Sequence, residues 1–304
     1  MSHSSNNIHS SPAFFSLYKT QIDQHLNVLL SRHSDQGTSL FKAMRYSTLL
    51  GGKRIRPILT LATASIFNIS SEKAIRPACA VELIHAYSLI HDDLPSMDDD
   101  DLRRGQATCH IAYNEATAIL AGDALQALAF TLLSDNDELS AQHRIDMIKI
   151  LSRACGSEGM VLGQAIDFDS VGQILTIDQL EQMHRLKTGA LLQASVLLGA
   201  YCSHDEIETK ERKALENYAN AIGLAFQVQD DILDVESDTE TLGKMQGADI
   251  ALNKPTYPAL LGLDGAKNKL LALHEEALLF LEEIPNRNTS QLAEISHFIV
   301  ARER

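Results

Sequence analysis

Residues 80–105 read AVELIHAYSLIHDDLPSMDDDDLRRG. In the first half of this stretch the apolar residues recur at spacings of three and four, which is typical of a helix with a buried face. Pro95 cannot continue a regular helix, and from Asp92 onward the chain carries six carboxylates within ten residues, followed by Arg103 and Arg104. The stretch therefore predicts an apolar helix that ends in an acidic segment beside two guanidinium groups.

The same helical pattern extends over most of the chain. Segments rich in Ala, Leu, Gln and Glu, with apolar residues three and four apart, cover residues 118–133, 189–201 and 215–233. Strand-like alternation is scarce, and polar breaks such as SDNDE and PNRNTS separate the segments. Several helices are apolar on more than one face, as expected of helices inside one large core. We predict an all-α fold with a single domain over residues 13–304.

The composition bears on the class of protein. The 304 residues carry 26 Lys and Arg against 40 Asp and Glu, and the net charge of −14 opposes binding to nucleic acid. Four widely spaced cysteines without a CxxC pattern fit reduced thiols in a cytoplasmic protein. Residues 1–12, MSHSSNNIHSSP, lack a basic start and an apolar run, so we interpret them as a flexible polar leader rather than a signal peptide. We expect a soluble protein without a segment that spans a membrane.

A second acidic motif, QVQDDILD, covers residues 227–234. Asp230 and Asp234 are four residues apart, so a helix projects both carboxylates from nearly one face. Asp92 and Asp98 are six residues apart and would diverge on an unbroken helix, but a bend at Pro95 can return Asp98 toward Asp92. Both motifs therefore place carboxylates at the end of an apolar helix.

Clustered carboxylates can serve as general acid/base pairs, as metal ligands or as a solvated surface. A hard divalent ion such as Mg²⁺ relieves their repulsion through oxygen ligands, and the lack of clustered His and Cys disfavours zinc. Magnesium usually takes one or two protein carboxylates together with substrate phosphates. Two such motifs, each after an apolar helix, favour a diphosphate held between several metal ions over the solvated-surface interpretation.

A third motif, GGKRIRP, supplies cations at residues 51–57. Its two glycines permit close approach of the backbone to a ligand, and Lys53 and Arg56 lie three residues apart on one helical face. The motif could hold a second phosphate group. It lacks the G-x-x-x-x-G-K-[ST] pattern of a P-loop, which removes the main support for nucleotide hydrolysis.

The motifs taken in chain order resemble the trans-isoprenyl diphosphate synthases, and in particular the bacterial farnesyl-forming pattern. The resemblance runs from about Tyr46 to the final helix. The segments that carry it are GGKRIRP, HAYSLIHDDLPSMDDDDLRRG, HRLKTGALL, GLAFQVQDDILD, TLGK and KPTYPALLG. One departure is Ala107, where the family often has proline, which questions the stiffness of that loop.

The resemblance implies an orthogonal helical bundle around a deep central cavity, a homodimer, and the Mg²⁺-dependent condensation of isopentenyl diphosphate with dimethylallyl or geranyl diphosphate. It implies that three Mg²⁺ ions, for which Mn²⁺ could substitute, are held by Asp92, Asp93, Asp98, Asp230, Asp231 and Asp234. It implies allylic diphosphate contacts from Arg103, Lys187 and Lys244. It implies an isopentenyl diphosphate site built from Gly52, Lys53, Arg56, His85 and Arg104. It also assigns substrate binding to Lys254, and assigns the stabilisation of a carbocation to Thr188 and Gln227.

The resemblance also bears on the length of the product. Tyr87 lies five residues before Asp92, and with Ser88 it would close the cavity at a C15 chain, with a C20 product as the alternative. A terpene cyclase would carry an Asn/Ser/Glu metal motif in place of DDILD, and a non-catalytic subunit would lose one aspartate motif. A helical protein that only binds Ca²⁺ would need the D-x-[DN]-x-[DN]-G loop, which neither acidic motif fits.

Overall fold

The computed structural model describes residues 12–31, 38–173, 175–203, 207–236 and 256–302. The helices are α1 Ala13–Ser31, α2 Ser39–Leu49, α3 Ile55–Ile66, α4 Ser71–Asp92, α5 Cys109–Ala112, α6 Glu115–Ser134, α7 Ala141–Cys155, α8 Met160–Asp169, α9 Ile177–His184, α10 Ala190–Ala200, α11 Thr209–Glu236, α12 Tyr257–Glu282 and α13 Ser290–Ala301. A π-helix, Arg185–Gly189, joins α9 to α10. The predicted all-α class is confirmed.

The helices pack around shared central elements. The most extensive helix pairs are α11 with α12, α4 with α6, and α10 with α3. Nine of the eleven residues of α10 are buried, which confirms that a central helix here is apolar on more than one face. The polar breaks lie between α6 and α7 and between α12 and α13, as the sequence predicts. The single domain over residues 13–304 remains a prediction, and the polar leader up to residue 11 lies outside the described residues.

The chain reverses after the first acidic helix. Helix α4 ends at Asp92, and a turn through Pro95 follows. The Asp98 backbone N–H then donates to the Asp92 carbonyl at 2.8 Å. The bend predicted from Pro95 is therefore confirmed, and it brings the two aspartates together.

A short hairpin follows the acidic loop and was not predicted. Strand β1, Leu102–Arg103, pairs with β2, Gln106–Ala107, across a two-residue turn in which Arg104 and Gly105 have positive φ of 54° and 73°. The Tyr46 hydroxyl donates to the Ala107 carbonyl at 2.7 Å. The loop is thus held by its strand pairing and by Tyr46, although it lacks the proline. Strands of two residues are too short to show alternation in a sequence.

The expected absence of a membrane-spanning segment is not confirmed. Helix α6 is long and apolar enough to cross a membrane by length and composition. An 18-residue stretch of it has a mean hydropathy of 1.6, and 44% of that stretch is buried inside the protein. Core helices of soluble proteins can meet the same criteria. Length and composition therefore do not decide the role of α6.

Candidate active site

The first aspartate motif leaves a carboxyl group short of cations. Asp92 is half-buried at the end of α4. Burial raises the pKa of Asp92 to about 6; Lys187 and Arg103 lower it, whereas Asp98 and Asp93 raise it further. A bound cation would relieve both the burial of the charge and the repulsion between the carboxylates.

The neighbouring Asp93 has a different environment. It is buried, and its two oxygens accept from the Arg103 Nε at 2.8 and 3.0 Å, with a further contact of 2.5 Å from Nη2. Burial raises the pKa of Asp93, and the guanidinium of Arg103 opposes that rise. Asp93 therefore fixes Arg103 beside the acidic loop, an ion pair that the sequence analysis did not foresee.

The second aspartate motif contains one accessible carboxylate. The side chain of Asp230 is 43% exposed, whereas Asp231 and Asp234 are buried. Asp231 accepts from the Tyr257 backbone N–H at 2.9 Å and from the Gln227 amide at 3.2 Å. Asp231 thus connects α11 to the start of α12 and orients Gln227.

A guanidinium from the end of the described chain lies against this motif. Arg302 donates to Asp230 at 2.6 Å and to the Phe226 carbonyl at 2.7 Å, and it lies over the Phe226 ring. The Gln229 amide in turn donates to the Arg302 carbonyl at 2.7 Å. The sequence analysis missed Arg302, because nothing local predicts a contact across 72 residues.

The available ligands suit Mg²⁺ better than a metal with a complete protein cage. In the part of the chain that the structure describes, no three His, Cys, Asp or Glu side chains are grouped so that they could hold a metal ion by themselves. Asp92 at the end of α4, Asp98 in the following turn and Asp230 within α11 nevertheless keep accessible or half-buried carboxylates. Oxygen ligands in small number fit Mg²⁺ when phosphate oxygens complete its coordination shell.

The GGKRIRP motif forms a loop anchored by its middle cation. Arg54 has a positive φ of 56° and is buried, whereas Lys53 is exposed. Arg54 donates to Asp23 at 2.8 Å, to Glu82 at 2.5 Å and to the Thr48 carbonyl at 2.8 Å. Arg54 therefore joins α1, α2 and α4 under the loop, a role that the sequence analysis did not assign.

Four of the residues predicted for isopentenyl diphosphate lie together. A Cβ on Gly52 would come within 2.7 Å of the Arg104 guanidinium, which also donates to the Gly51 carbonyl. Arg56 and His85 approach to 3.5 Å between Nη1 and Nε2. Burial and then the charges of Arg56, Arg104 and Arg103 hold the pKa of His85 well below its usual value, so the imidazole is neutral. The group is therefore a cationic surface with one neutral hydrogen-bonding ring.

The π-helix presents the predicted Lys187 and Thr188. The Lys187 ammonium contacts Asp167 of α8 at 2.6 Å. The Thr188 hydroxyl donates to the Gln227 side-chain oxygen at 3.2 Å. The structure thus brings Thr188 and Gln227, which were assigned separately to the carbocation, into contact, and it adds Asp167, which the sequence analysis missed.

Tyr87, to which the resemblance assigns the limit on chain length, is buried, and that role stays a prediction. Its ring packs edge-to-face on His91 at 5.8 Å. Burial raises its pKa to about 12, and Gln126 of α6 and Cys155 of α7 lie near enough to influence it. Ser88 is half-buried and donates to the His85 carbonyl of its own helix.

Two parts of the prediction remain open. Lys244 and Lys254 lie outside the described residues. The described residues outline a cavity of about 360 Å³ among α7, α10 and α11 and another of about 470 Å³ beside α11, α12 and Arg302. The deep central cavity between the aspartate motifs stays a prediction.

Comparison with known proteins identifies the family. The sequence model of the polyprenyl synthetase family matches residues 38–289, and the chain belongs to this family. The farnesyl diphosphate synthase of Escherichia coli is 52% identical over 291 residues, which cover 93% of this chain and 96% of that protein. The resemblance and the enzyme class predicted from the motifs, a prenyltransferase, are therefore confirmed.

Solved structures of prenyl diphosphate synthases are similar to this chain in both sequence and fold. An FPP/GFPP synthase from Zymomonas mobilis is 37% identical with a TM-score of 0.82, and the match covers 95% of this chain and 99% of that one. A geranyltransferase from Helicobacter pylori, complexed with magnesium and isoprenyl diphosphate, is 35% identical with a TM-score of 0.79, covering 95% of this chain and 97% of that one.

Proposed function

We propose that the protein is a farnesyl diphosphate synthase that condenses isopentenyl diphosphate with dimethylallyl and then geranyl diphosphate. The observation that carries the proposal is that Asp92 ends α4 and Asp230 lies near the end of α11, with Lys187 and Arg103 near the first and Arg302 against the second. The curated bacterial relatives support both the reaction and the C15 product.

The allylic diphosphate is assigned to the aspartate side of the site. Asp92, Asp98 and Asp230 would hold Mg²⁺, with Asp93, Asp231 and Asp234 in support; we assign three ions and expect Mn²⁺ to substitute. When bound, the metal neutralises the diphosphate and makes it a better leaving group. Arg103 and Lys187 add direct positive charge, as we also propose for Lys244.

Isopentenyl diphosphate is assigned to the cationic loop. Lys53, Arg56 and Arg104 would bind its phosphates, His85 would add a neutral hydrogen bond, and Gly52 allows the close approach of Arg104. Lys254 belongs to the same proposal as a further substrate-binding cation. The allylic C–O bond breaks and its electron pair leaves with the diphosphate. The double bond of isopentenyl diphosphate then attacks the resulting carbocation, and the departed diphosphate takes the proton that is lost.

Thr188 and Gln227 act on the short-lived carbocation. Their oxygens lie 3.2 Å apart and can stabilise a positive charge without forming a covalent bond to it. No protein nucleophile is required. The chain supplies binding, orientation and electrostatic stabilisation.

We further propose a cytoplasmic homodimer that associates through α6. Among the exposed positions of this helix, Ala116, Ile119, Leu120 and Ala127 form an apolar stripe at helical spacing that Asp123 interrupts. A self-complementary stripe on one helix suits a two-fold interface. The four cysteines are free and buried, which is in keeping with a reducing compartment.

Product analysis tests the reaction and the chain length together. Wild-type protein with Mg²⁺, isopentenyl diphosphate and geranyl diphosphate should give farnesyl diphosphate. Tyr87→Ala should shift products toward C20 because it removes only the steric limit. Tyr18, which is 8% exposed against 6% for Tyr87, lies on α1, and Tyr18→Ala is the matched control that should keep the C15 product.

The outcomes separate the alternatives. No Mg²⁺-dependent product from wild-type protein would reject the synthase. C20 as the main wild-type product would favour the geranylgeranyl alternative. Unchanged C15 product from an active Tyr87→Ala variant would remove Tyr87 as the residue that limits the chain.

A further inference from the structure

We propose that Asp167 is a positioning residue that holds the Lys187 ammonium for the allylic diphosphate. The inference rests on the proposed function, because it takes Lys187 as a diphosphate ligand. It assigns a role to a carboxylate outside both aspartate motifs.

The ion pair is close and half-shielded from water. The Asp167 Oδ2 and the Lys187 Nζ are 2.6 Å apart, and the two side chains are 15% and 26% exposed. Among the described residues, Lys187 is the one hydrogen-bond partner of the Asp167 carboxylate. A lysine side chain has a flexible four-carbon stem and loses considerable conformational entropy when it is fixed. Without a partner the ammonium would sample many positions, so the contact with Asp167 determines where it lies.

Helix α8 contacts Lys187 at two points one turn apart. At Gly163 the two backbones approach so closely that an added Cβ would overlap the Lys187 backbone nitrogen. At Asp167, four residues later, the same helix reaches the end of the Lys187 side chain. The backbone and the ammonium of one residue are therefore both located by α8.

Lys187 lies in the π-helix, whose backbone sets the position at which it meets α8. Residues 185–189 form a single wider turn between α9 and α10. Such turns inserted in α-helices occur frequently at functional sites. Here the turn contains Lys187 next to Thr188, whose hydroxyl contacts Gln227. A shift of Lys187 would thus also disturb a second residue assigned to the reaction.

The Lys187 ammonium lies close enough to the first aspartate motif to affect it electrostatically. Lys187 is the largest influence that lowers the pKa of Asp92, so its charge is felt at the first aspartate motif. The 2.6 Å contact with Asp167 holds the ammonium in place while no diphosphate is present. A bound diphosphate carries more negative charge than one carboxylate and can then draw the ammonium to itself.

A double-mutant cycle tests whether Asp167 acts through Lys187. The variants are Asp167→Asn, Lys187→Gln and the double variant, and the quantities are KM for geranyl and isopentenyl diphosphate and the Kd for inorganic diphosphate with Mg²⁺. Asp167→Asn should raise KM for geranyl diphosphate and the Kd about tenfold, with KM for isopentenyl diphosphate nearly unchanged. The double variant should be no worse than Lys187→Gln alone.

Glu181 provides a matched control. Its carboxylate pairs with Arg185 of the same π-helix at 3.4 Å and with Lys269 at 2.6 Å. Glu181→Gln removes a charge from the same region without touching Lys187, so KM and the diphosphate Kd should match wild type. Asp167→Glu, which restores the charge, should recover most of the lost affinity.

The results distinguish the inference from the function on which it rests. If Lys187→Gln weakens diphosphate binding but Asp167→Asn does not, the positioning role alone is overturned. Additive losses in the double variant, or equal losses in Glu181→Gln, would reduce Asp167 to a structural ion pair and would also overturn it. If Lys187→Gln leaves diphosphate binding intact, the assignment of Lys187 in the proposed function fails, and the role of Asp167 fails with it.

Discussion

At the scale of single residues, unusual backbone conformations concentrate at the candidate site. Five non-glycine residues have positive φ among those the structure describes, and Arg54, Asp99 and Arg104 lie in the loops around the site. The other two are asparagines, which tolerate this conformation. Such conformations cost energy and persist when their surroundings fix them, here through the Arg54 ion pairs and the hairpin turn.

The His184 side chain is held in an unfavourable state of a different kind. It is buried against the Tyr257 ring at 5.7 Å, and neither ring nitrogen has a hydrogen-bond partner among the described residues. Burial lowers its pKa to about 4; Asp167 opposes this shift and Lys187 adds to it. The folded protein therefore keeps His184 neutral at a pH where the unfolded chain would protonate it.

This difference predicts a loss of stability in mild acid. The contribution of neutral His184 is fully present above pH 6.5 and is lost as the pH falls toward 4, because only the unfolded chain gains the proton in that range. His184→Phe keeps an aromatic ring on Tyr257 and removes the titration. Between pH 7 and 4.5, the free energy of unfolding should fall by about 2 kcal/mol less in this variant than in wild type, as urea denaturation can measure. Equal losses in both proteins would contradict the neutral, buried state.

At the scale of elements, the sequence predicted long helices well and short features poorly. The apolar spacing indicated α4, α6, α10 and α11, because side chains on a helix repeat over many residues. The same spacing cannot reveal the π-helix, since one extra residue in a turn leaves no separate pattern in the sequence. The hairpin is set by the turn at Arg104 and Gly105 and by Tyr46, which lies 61 residues from its partner.

The GGKRIRP loop supports a prediction about which substrate its cations bind. Arg54 fixes the loop from below, while Lys53 is exposed and Arg56 lies against His85. Lys53→Ala or Arg56→Ala should raise KM for isopentenyl diphosphate several-fold more than KM for geranyl diphosphate, since these cations are assigned to isopentenyl diphosphate alone. Steady-state kinetics with each substrate varied in turn measures both constants.

Lys42 offers a control for that loop. It is an exposed lysine on the neighbouring α2, and Lys42→Ala should leave both KM values close to wild type. A larger rise for geranyl diphosphate in the Lys53 or Arg56 variant would mean that the two diphosphate sites are exchanged.

At the scale of the whole molecule, the residues that complete the site come from distant parts of the chain. The aspartates and the cations of the first acidic motif and of GGKRIRP could be found by type and spacing, whereas Lys187 came only with the family resemblance. Their partners could not, because Arg54 meets Glu82 across 28 residues, Lys187 meets Asp167 across 20, and Arg302 meets Asp230 across 72. Each pair depends on how helices pack, which local spacing does not encode. The sequence contains one weak indication of the contact between α8 and Lys187: Gly163 and Asp167 lie one turn apart on the same face of an apolar helix.

The last prediction concerns how two molecules associate. Leu120 is 57% exposed in the apolar stripe of α6, and Leu279 is 61% exposed on α12, so the two leucines are similar except for their position. An aspartate at position 120 would add a second carboxylate beside Asp123, and burying the two together at a two-fold interface without partners costs several kcal/mol. By size-exclusion chromatography with light scattering, wild type and Leu279→Asp should run at twice the chain mass of 33.4 kDa, and Leu120→Asp should run as a monomer. A monomeric wild type, or a Leu120→Asp variant that stays dimeric, would show that the α6 stripe is not the interface.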